Sequence, residues 1–204
     1  MNNARISVRS YGVLPLDRSE ILRYAGTPAT SPELDCLLDA CLAKSEALLR
    51  GRVCFSVLPL HRKEQILDLT FATTASASLG RALEGCDRIL LFAATAGLEI
   101  DRLIFRTAKH SSAEALLLQA IGTAYVEAVC DRFCSEIAQE LGEGGKGLRP
   151  RFSPGYGDLP LALQREVFSY LDCPARIGLT LNETLLMSPS KSVTAIAGIL
   201  KETN

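Results

Sequence analysis

The run Arg88-Ile-Leu-Leu-Phe-Ala-Ala-Thr95 is the stretch that decides the fold class, because every residue between its two ends is apolar. A continuous apolar run of this length is typical of a strand that is buried on both faces, whereas a half-exposed strand alternates apolar and polar side chains. Gly97 follows closely and predicts a tight exit. We therefore expect a buried strand.

Helices are predicted on both sides of this strand in the sequence. Downstream, helical patterns run from Leu98 to His110 and from Ser112 to Leu141, and the second is long enough to form the backbone of the domain. Upstream, Ser78 to Leu83 predicts a short helix that Gly85 ends. Leu161 to Leu171 predicts another helix, and two strands complete the C-terminal part.

The N-terminal residues also favour helices. Asp17 and Glu20 have the spacing of a capping box and predict a short helix from Arg18 to Ala25. Ser31 is the predicted cap of a second helix, whose apolar residues recur at helical spacing up to Gly51.

Two strands are predicted after this helical part, from Arg52 to Leu60 and from Glu64 to Phe71, with His61-Arg62-Lys63 as the polar turn of a hairpin. Strands in small groups, separated by long helices, point to an α+β fold with a curved antiparallel or mixed sheet flanked by long helices. We expect residues 1–204 to form one domain, with a helical N-terminal part at 1–51 and an α+β body at 52–204.

Composition narrows the class of protein. Hydrophobic residues make up 48% and charged residues 22% of the chain, which is typical of a folded globular protein. The net charge of −1 gives no broad attraction to a polyanion, so we expect no nucleic-acid partner. No leader sequence or membrane-spanning run is recognised, and the seven cysteines fit a reducing compartment. The prediction is a cytoplasmic protein with no membrane partner.

The cysteines and histidines suggest neither a metal site nor a nucleophile. Cys130 and Cys134 share a helix face, but His61 and His110 lack the spacing to complete a zinc site with them. Burial as small apolar side chains is the favoured interpretation of these thiols. No serine, cysteine or histidine forms a nucleophile and base pair, so an independent hydrolase is disfavoured.

The loop Arg151-Phe-Ser-Pro-Gly-Tyr-Gly-Asp-Leu-Pro160 is the most informative candidate for function. Arginine carries a planar and permanently charged fork that matches a carboxylate, and the prolines and glycines restrict the backbone that aims it. The preceding stretch Gly142 to Gly147 lacks the Lys-Ser/Thr ending of a nucleotide-binding loop and is interpreted as a flexible connector. The Arg151 loop therefore predicts a clamp for a small anionic group.

This loop resembles the Arg-x-x-x-Gly-Tyr loop of the activation domain of cobalamin-dependent methionine synthase. The stretch Ile177 to Gly198 is similar to the family's Gly-x-x-Leu-Thr-Glu-Ser-x-x-Met-x-Pro-x-x-Ser-Val-x-Gly segment. Upstream, Ala93 to Asp101 and a helix that carries Glu127 follow the family's order. The resemblance covers about the second half of the chain, and several segments in one order are more specific than one short motif.

The resemblance implies a set of ligand-binding residues. Arg151 is expected to bind the carboxylate of S-adenosylmethionine, and Glu127 its positively charged end. The backbone at Pro154, Gly155 and Tyr156 is expected to approach the ligand or a corrin ring. Tyr156 has a second interpretation, as a residue that covers the core.

Weaker candidates accompany this set. Thr123 lies one helical turn before Glu127. The family often has an acidic residue at the position that Thr123 occupies. Glu183 matches the family's Thr-Glu-Ser glutamate or is a charge at a strand end. Asp158 is either a ligand contact or the cap of the helix after Pro160.

The function that the resemblance implies is reactivation of a split cobalamin-dependent methionine synthase or related corrinoid methyltransferase. In this role the chain binds S-adenosylmethionine for reductive methylation of cobalamin, which is reached only through a partner protein. The expected partners are a separate cobalamin-binding methionine synthase or corrinoid protein and an electron-donor protein. We assign the chain no catalytic residue and no metal, and treat it as part of a methyltransferase system.

Two alternatives stay open. The family's N-terminal Asp-Trp-Thr-Pro and its C-terminal tyrosine pair have no counterpart in this sequence, although Asp17 is a candidate for the acidic contact. The first alternative is therefore a non-enzymatic adaptor that docks on a corrinoid protein without binding S-adenosylmethionine. The second is a binding domain for another small carboxylate, which would use Arg151 alone.

Overall fold

The computed structural model describes residues 5–27, 31–142 and 147–201, so the greater part of the predicted connector at 142–147 lies outside them. The strands are β1 (Ser7–Tyr11), β2 (Gly51–Pro59), β3 (His61–Lys63), β4 (Ile66–Asp68), β5 (Thr73–Thr74), β6 (Cys86–Thr95), β7 (Thr180–Leu181), β8 (Met187–Ser188) and β9 (Ser192–Leu200). The α-helices are α1 (Arg18–Tyr24), α2 (Pro32–Glu46), α3 (Ala77–Ala82), α4 (Leu98–Thr107), α5 (Ser112–Glu140), α6 (Gln164–Leu171) and α7 (Cys173–Ile177), and a 3-10 turn at Leu161–Leu163 precedes α6.

The main sheet has the strand order β1-β2-β6-β9, and every neighbouring pair in it is antiparallel. The apolar run from Arg88 to Thr95 lies in β6, where Phe92 pairs with Phe55 of β2 on one side and with Ala195 of β9 on the other. The prediction of a buried strand is confirmed, and so is the α+β fold class.

Helices cover both faces of this sheet because successive side chains of a strand point to opposite sides. Leu90 and Phe92 of β6 belong to a core shared with α1, α2, α4 and α5. Leu91 and Ala93 belong to a second core on the other face, shared with α3, α6 and α7. A sheet buried on both faces explains why the apolar run of β6 has no polar interruption.

The predicted hairpin in residues 52–71 is wrong. His61–Lys63 is itself a strand and pairs with β4, because the chain reverses after it at Glu64, whose φ is 54°. Strand β2 pairs instead with β6 and with β1. The helical N-terminal part at 1–51 also omitted β1, a short edge strand with half-exposed alternating side chains.

Helix α5 corrects the expectation that no segment is long and apolar enough to cross a membrane. By length and composition Ser112–Glu140 meets that test, but 61% of its most apolar window is buried inside the protein. Its buried residues include Leu118, Tyr125 and Phe133, which pack in the first core. The apolar character of α5 is therefore accounted for by packing against the sheet.

The free edge of β9 is covered over only part of its length. The segment 147–152 runs antiparallel to it, with bridges from Leu148 to Ile199 and from Phe152 to Ile196. The Phe152 amide donates to the Ile196 carbonyl at 2.8 Å, and the Ile196 amide donates back to the Phe152 carbonyl at 2.8 Å. Beyond Phe152 the chain turns away from the sheet, and this divergence creates the candidate site.

Candidate functional site

A pocket of about 480 Å³ opens where the chain leaves the edge of β9. This volume lies within the range of small-molecule sites. Its walls come from α5, the Arg151 loop, the start of α6, the β8 strand and the N-terminal end of β9. The lining residues are Glu127, Arg151, Phe152, Ser153, Pro154, Tyr156, Gln164, Met187, Ser192, Val193 and Thr194.

Arg151 is the cation of this pocket and lies between two carboxylates of α5. Its Nη2 is 2.6 Å from Asp131 Oδ1 and 3.2 Å from Glu127 Oε2. Burial acts to lower the pKa of Arg151, but the neighbouring Cys130, Glu127 and Asp131 outweigh it and the pKa lies above its ordinary value. The guanidinium is therefore permanently charged and is held by side chains one helical turn apart.

Acidic residues continue past Arg151 into an adjoining cleft of about 190 Å³. Glu127 lines both cavities, and Asp17, Glu20 and Asp131 line the second. Asp17 is the cap of α1 and accepts a 2.8 Å bond from the Ser19 amide. Glu20 is paired with Arg23 at 2.5 Å, so the negative charge that borders Arg151 comes from Asp17, Glu127 and Asp131.

The thiols of Cys130 and Cys134 lie near Arg151 but add no negative charge at neutral pH. Burial raises the pKa of Cys130 to about 12 and the pKa of Cys134 to about 11. Both remain neutral at physiological pH and behave as apolar packing groups. Among the residues described, no group of three or more histidine, cysteine or acidic side chains is placed to hold a metal ion.

The Arg151 loop has a defined shape. Gly155 adopts a φ of +94°, a conformation that L side chains rarely adopt, and its amide donates to the Leu159 carbonyl at 2.9 Å. Pro154 is buried and lines the pocket, while Gly155 shapes the turn without lining it. Tyr156 also lines the pocket and is 68% exposed, so the interpretation of Tyr156 as a cover for the core is wrong.

Asp158 corrects a second prediction, because it caps a different helix. Its carboxylate accepts from the Ser76 hydroxyl and from the amides of Ala77 and Ser78, the last two at 2.8 and 3.1 Å, at the start of α3. It makes no such bond to the helix after Pro160, whose first turn has no side-chain cap. Asp158 thus bonds the Arg151 loop to the start of α3, which packs on the second face of the sheet.

Replacing Asp158 with alanine is expected to lower the thermal midpoint at neutral pH. Hydrogen bonds from Ser76 and the α3 amides lower the pKa of Asp158 from its ordinary value of 3.8. The carboxylate therefore stabilises the fold above about pH 4, and this contribution is lost as the pH falls below that value. Thermal melts between about pH 7 and pH 3 should show the wild-type advantage shrink in acid. Asp87→Ala, at an exposed aspartate on β6, is the control, and an equal loss in that variant contradicts the assignment.

Two of the weaker candidates lie outside the pocket walls. The Thr123 hydroxyl donates to the Gln119 carbonyl at 3.0 Å. It also accepts a 3.3 Å bond from Lys191 Nζ, so Thr123 lies beside a positive charge of the protein itself. Glu183 is exposed at the tip of the β7 and β8 hairpin, where its carbonyl accepts a 3.0 Å bond from Arg165. The structure brings Glu127, Arg151, Pro154 and Tyr156 together and leaves these two apart.

Sequence reasoning missed the floor of the pocket. Gln164, Met187 and Thr194 line it, although the residue types alone are ordinary for a helix start, a short strand and a buried strand. The serine-rich run 188–192 is typical of a polar turn, whereas Ser192 begins β9 and bonds to Thr95 at 2.9 Å. The one available signal was Thr194, the only polar side chain from residue 193 to residue 200, but threonine is common in strands and does not by itself indicate a site.

These features define a class of α+β domain, in which an antiparallel sheet carries helices on both faces and a charged pocket opens at one sheet edge. Among solved structures, the chain is similar to the crystal structure of the MetH reactivation domain bound to AdoHcy. The TM-score is 0.72 at 16% sequence identity, and the match covers 100% of this chain and 81% of that one. The likeness shows a shared fold.

Comparisons at the level of sequence give no such match. No protein-family model matches the chain, and no curated protein matches it. The fold is therefore established by the structure, and the role of the pocket rests on its own geometry.

Proposed function

We propose that this protein binds S-adenosylmethionine (AdoMet) and acts as the reactivation component of a cobalamin-dependent methionine synthase or related corrinoid methyltransferase. The observation that carries the proposal is the position of Arg151, which lies beside a pocket of suitable size and between the carboxylates of Glu127 and Asp131. The similar MetH reactivation domain was crystallised with AdoHcy, and this supports the choice of ligand.

The charge pattern favours a zwitterionic ligand over a simple anion. Arg151 offers a fork for a carboxylate, whereas Glu127 and Asp131 would repel a ligand that carries negative charge alone. The α-amino acid end of AdoMet carries one carboxylate and one ammonium group, and its sulfonium adds a second positive charge. The acidic groups along the adjoining cleft therefore favour AdoMet over a plain carboxylate.

The residues that fit the ligand have separate roles. Arg151 binds the carboxylate, Glu127 and Asp131 face the ammonium or sulfonium charge, and the loop at Pro154 to Tyr156 borders the open side of the pocket. When bound, AdoMet supplies an activated methyl group. The chain itself positions and orients AdoMet. Holding two reactants in the correct geometry makes a bimolecular step effectively unimolecular.

The proposal includes partners and a location. Cobalamin would reside on a separate methionine synthase or corrinoid protein, and a second protein would deliver the electron for reductive methylation. The methyl transfer and the electron delivery would take place in the cytoplasm. The exposed mouth of the pocket, beside Tyr156, is the part of the molecule that such a partner would approach.

The second candidate function is that of an adaptor that docks on a corrinoid protein without binding AdoMet. The observation that favours it is that Asp131 and Glu127 already neutralise Arg151 within the protein itself. Tyr156 and Leu161, which are 68% and 43% exposed, supply apolar surface next to the pocket. Such surface is typical of an interaction site.

Isothermal titration calorimetry with AdoMet and AdoHcy tests the proposal. We expect micromolar binding, with AdoMet tighter than AdoHcy because its extra positive charge meets Glu127 and Asp131. The Glu127→Gln and Asp131→Asn variants should each reduce the preference for AdoMet by about 2- to 5-fold, since exposed charge pairs contribute up to ~1 kcal/mol.

Glu99→Gln is the matched control, because Glu99 lies on α4 and pairs with Arg102 at 2.6 Å outside the pocket. This variant should retain wild-type affinity and preference. A wild-type protein that binds neither ligand would overturn the AdoMet assignment in favour of the adaptor. Equal binding of succinate would instead indicate a site for simple carboxylates.

A further inference from the structure

Asp131 holds Arg151 but does not line the pocket. Its Oδ1 is 2.6 Å from Arg151 Nη2, which is the shorter of the two ion pairs of that arginine, and Asp131 lines the adjoining cleft. Glu127 is 3.2 Å from the same nitrogen and lines the pocket itself. Of the two carboxylates, Glu127 is therefore the one on the wall that a ligand in the pocket would meet.

Both ion pairs use one nitrogen of the guanidinium. Among the residues that the structure describes, Arg151 Nε and Nη1 have no ion-pair or hydrogen-bond partner. The unpaired side-chain atoms that are fully buried in this part of the chain belong to other residues. The Arg151 side chain is 25% exposed and lines the pocket, so a carboxylate that enters the pocket can reach it. The ion pairs within the protein therefore leave donors of the fork free for a ligand.

The backbone under Asp131 is fixed by packing. Its neighbours on α5, Cys130 and Phe133, are fully buried in the first core. An aspartate side chain has only two rotatable bonds, so the position of its carboxylate follows the backbone closely. The Asp131 side chain is 72% exposed, and its described bond is the one to Arg151. Asp131 is thus a short support on a rigid helix.

Arg151 gains from such a support because its side chain is long. An arginine loses much rotamer freedom when its guanidinium is held in one place. The backbone bonds between Phe152 and Ile196 fix the chain beside Arg151 but not the rotamer of its side chain. The ion pair with Asp131 restricts the guanidinium before a ligand arrives, so less ordering of the protein is left for the binding step.

We propose that Asp131 is a positioning residue for ligand binding, which holds the guanidinium of Arg151 so that its free donors receive the carboxylate of the ligand. The inference rests on the proposed binding of AdoMet and assigns Asp131 a role that acts through Arg151. The charge of Asp131 adds to the preference for AdoMet over AdoHcy, whereas the support acts on any ligand that carries the carboxylate.

The test is a calorimetric titration of AdoHcy into Asp131→Asn. AdoHcy is a zwitterion without net charge, so loss of the Asp131 charge has little direct effect on it, whereas loss of the support weakens binding. We expect about 2- to 5-fold weaker binding, the range for an exposed ion pair. The same substitution in an Arg151→Ala background should leave the affinity unchanged, since no guanidinium remains to be held. A loss of equal size in both backgrounds would show a direct contact with the ligand and overturn the positioning role.

Nitrogen-15 NMR of the arginine side chains measures the support without a ligand. A hydrogen bond between a guanidinium and a carboxylate hinders rotation about the Nε–Cζ bond. The guanidinium of Arg151 should therefore rotate faster in Asp131→Asn than in wild type. Equal rotation in the two proteins would contradict the inference.

Asp35→Asn is the matched control, because Asp35 of α2 forms an exposed ion pair with Arg18 at 3.3 Å and does not line the pocket. It should leave AdoHcy binding unchanged, and thermal melts should show that both aspartate variants are folded. If wild type binds AdoHcy and Asp131→Asn binds it equally well, the positioning role is overturned alone. If wild type binds no AdoHcy, the proposed function and the positioning role are both overturned.

Discussion

Replacement of Arg151 with alanine is expected to weaken AdoMet binding by about 10- to 100-fold, because a hydrogen bond between charged groups contributes ~1.5–3 kcal/mol. The loss has two physical sources. The carboxylate of the ligand loses its cationic fork, and Glu127 and Asp131 lose the positive charge that offsets their repulsion of that carboxylate. Calorimetric titration of wild type and variant measures the change directly.

Two further variants make this result specific. Arg151→Lys should recover part of the affinity, since lysine restores the charge but not the planar fork. Arg149→Ala removes an arginine of the same segment that bonds to the Glu84 carbonyl at 3.1 Å and does not line the pocket. Wild-type affinity in Arg151→Ala, or an equal loss in Arg149→Ala, would contradict the assignment of Arg151 as the carboxylate clamp.

Replacement of Phe133 with alanine is expected to lower the free energy of unfolding by ~3–5 kcal/mol. Phe133 of α5 is fully buried and packs between Phe55 and Phe92, with ring centroids 4.9 and 5.1 Å away. These two phenylalanines pair across β2 and β6, so the variant leaves a cavity where the longest helix meets the sheet. Chemical denaturation monitored by circular dichroism measures the loss.

Phe105→Ala provides the matched comparison for this prediction. Phe105 lies on α4 and is 68% exposed, so the same truncation there should change the free energy of unfolding by less than about 0.5 kcal/mol. A loss below about 1 kcal/mol in Phe133→Ala would show that the contact between α5 and the sheet contributes little to stability.

Sequence patterns predicted those elements whose local signals and tertiary environment agree. The apolar run of β6 and the capped helix α5 are long and strongly patterned, and both lie where we expected them. The strands β1 and β3 were not predicted because they are short, and their pairing depends on partners far away in the chain or on one turn residue. Local pattern carries no information about such a partner.

The residues of the candidate site were likewise predictable only in part from the sequence. Arg151 and its loop stood out because prolines and glycines at close spacing predict a shaped loop around one arginine, and because the loop resembles that of a known family. Gln164 and Thr194 were not, since only the divergence of the chain from β9 brings them to one cavity. Asp158 was predicted either as a ligand contact or as the cap of the helix after Pro160, whereas it caps α3, which only the packing of α3 beside the loop decides.

The fastening of the Arg151 loop at both ends has a consequence for the entropy of binding. Phe152 is bonded to β9 at one end and Asp158 to α3 at the other, so the loop is already ordered before a ligand arrives. A ligand that enters this pocket loses its own freedom of motion but does not also have to order the protein around it. The affinity of such a site is set by the quality of its few polar contacts, and cutting the tether at Asp158 should weaken binding without touching any atom of the ligand.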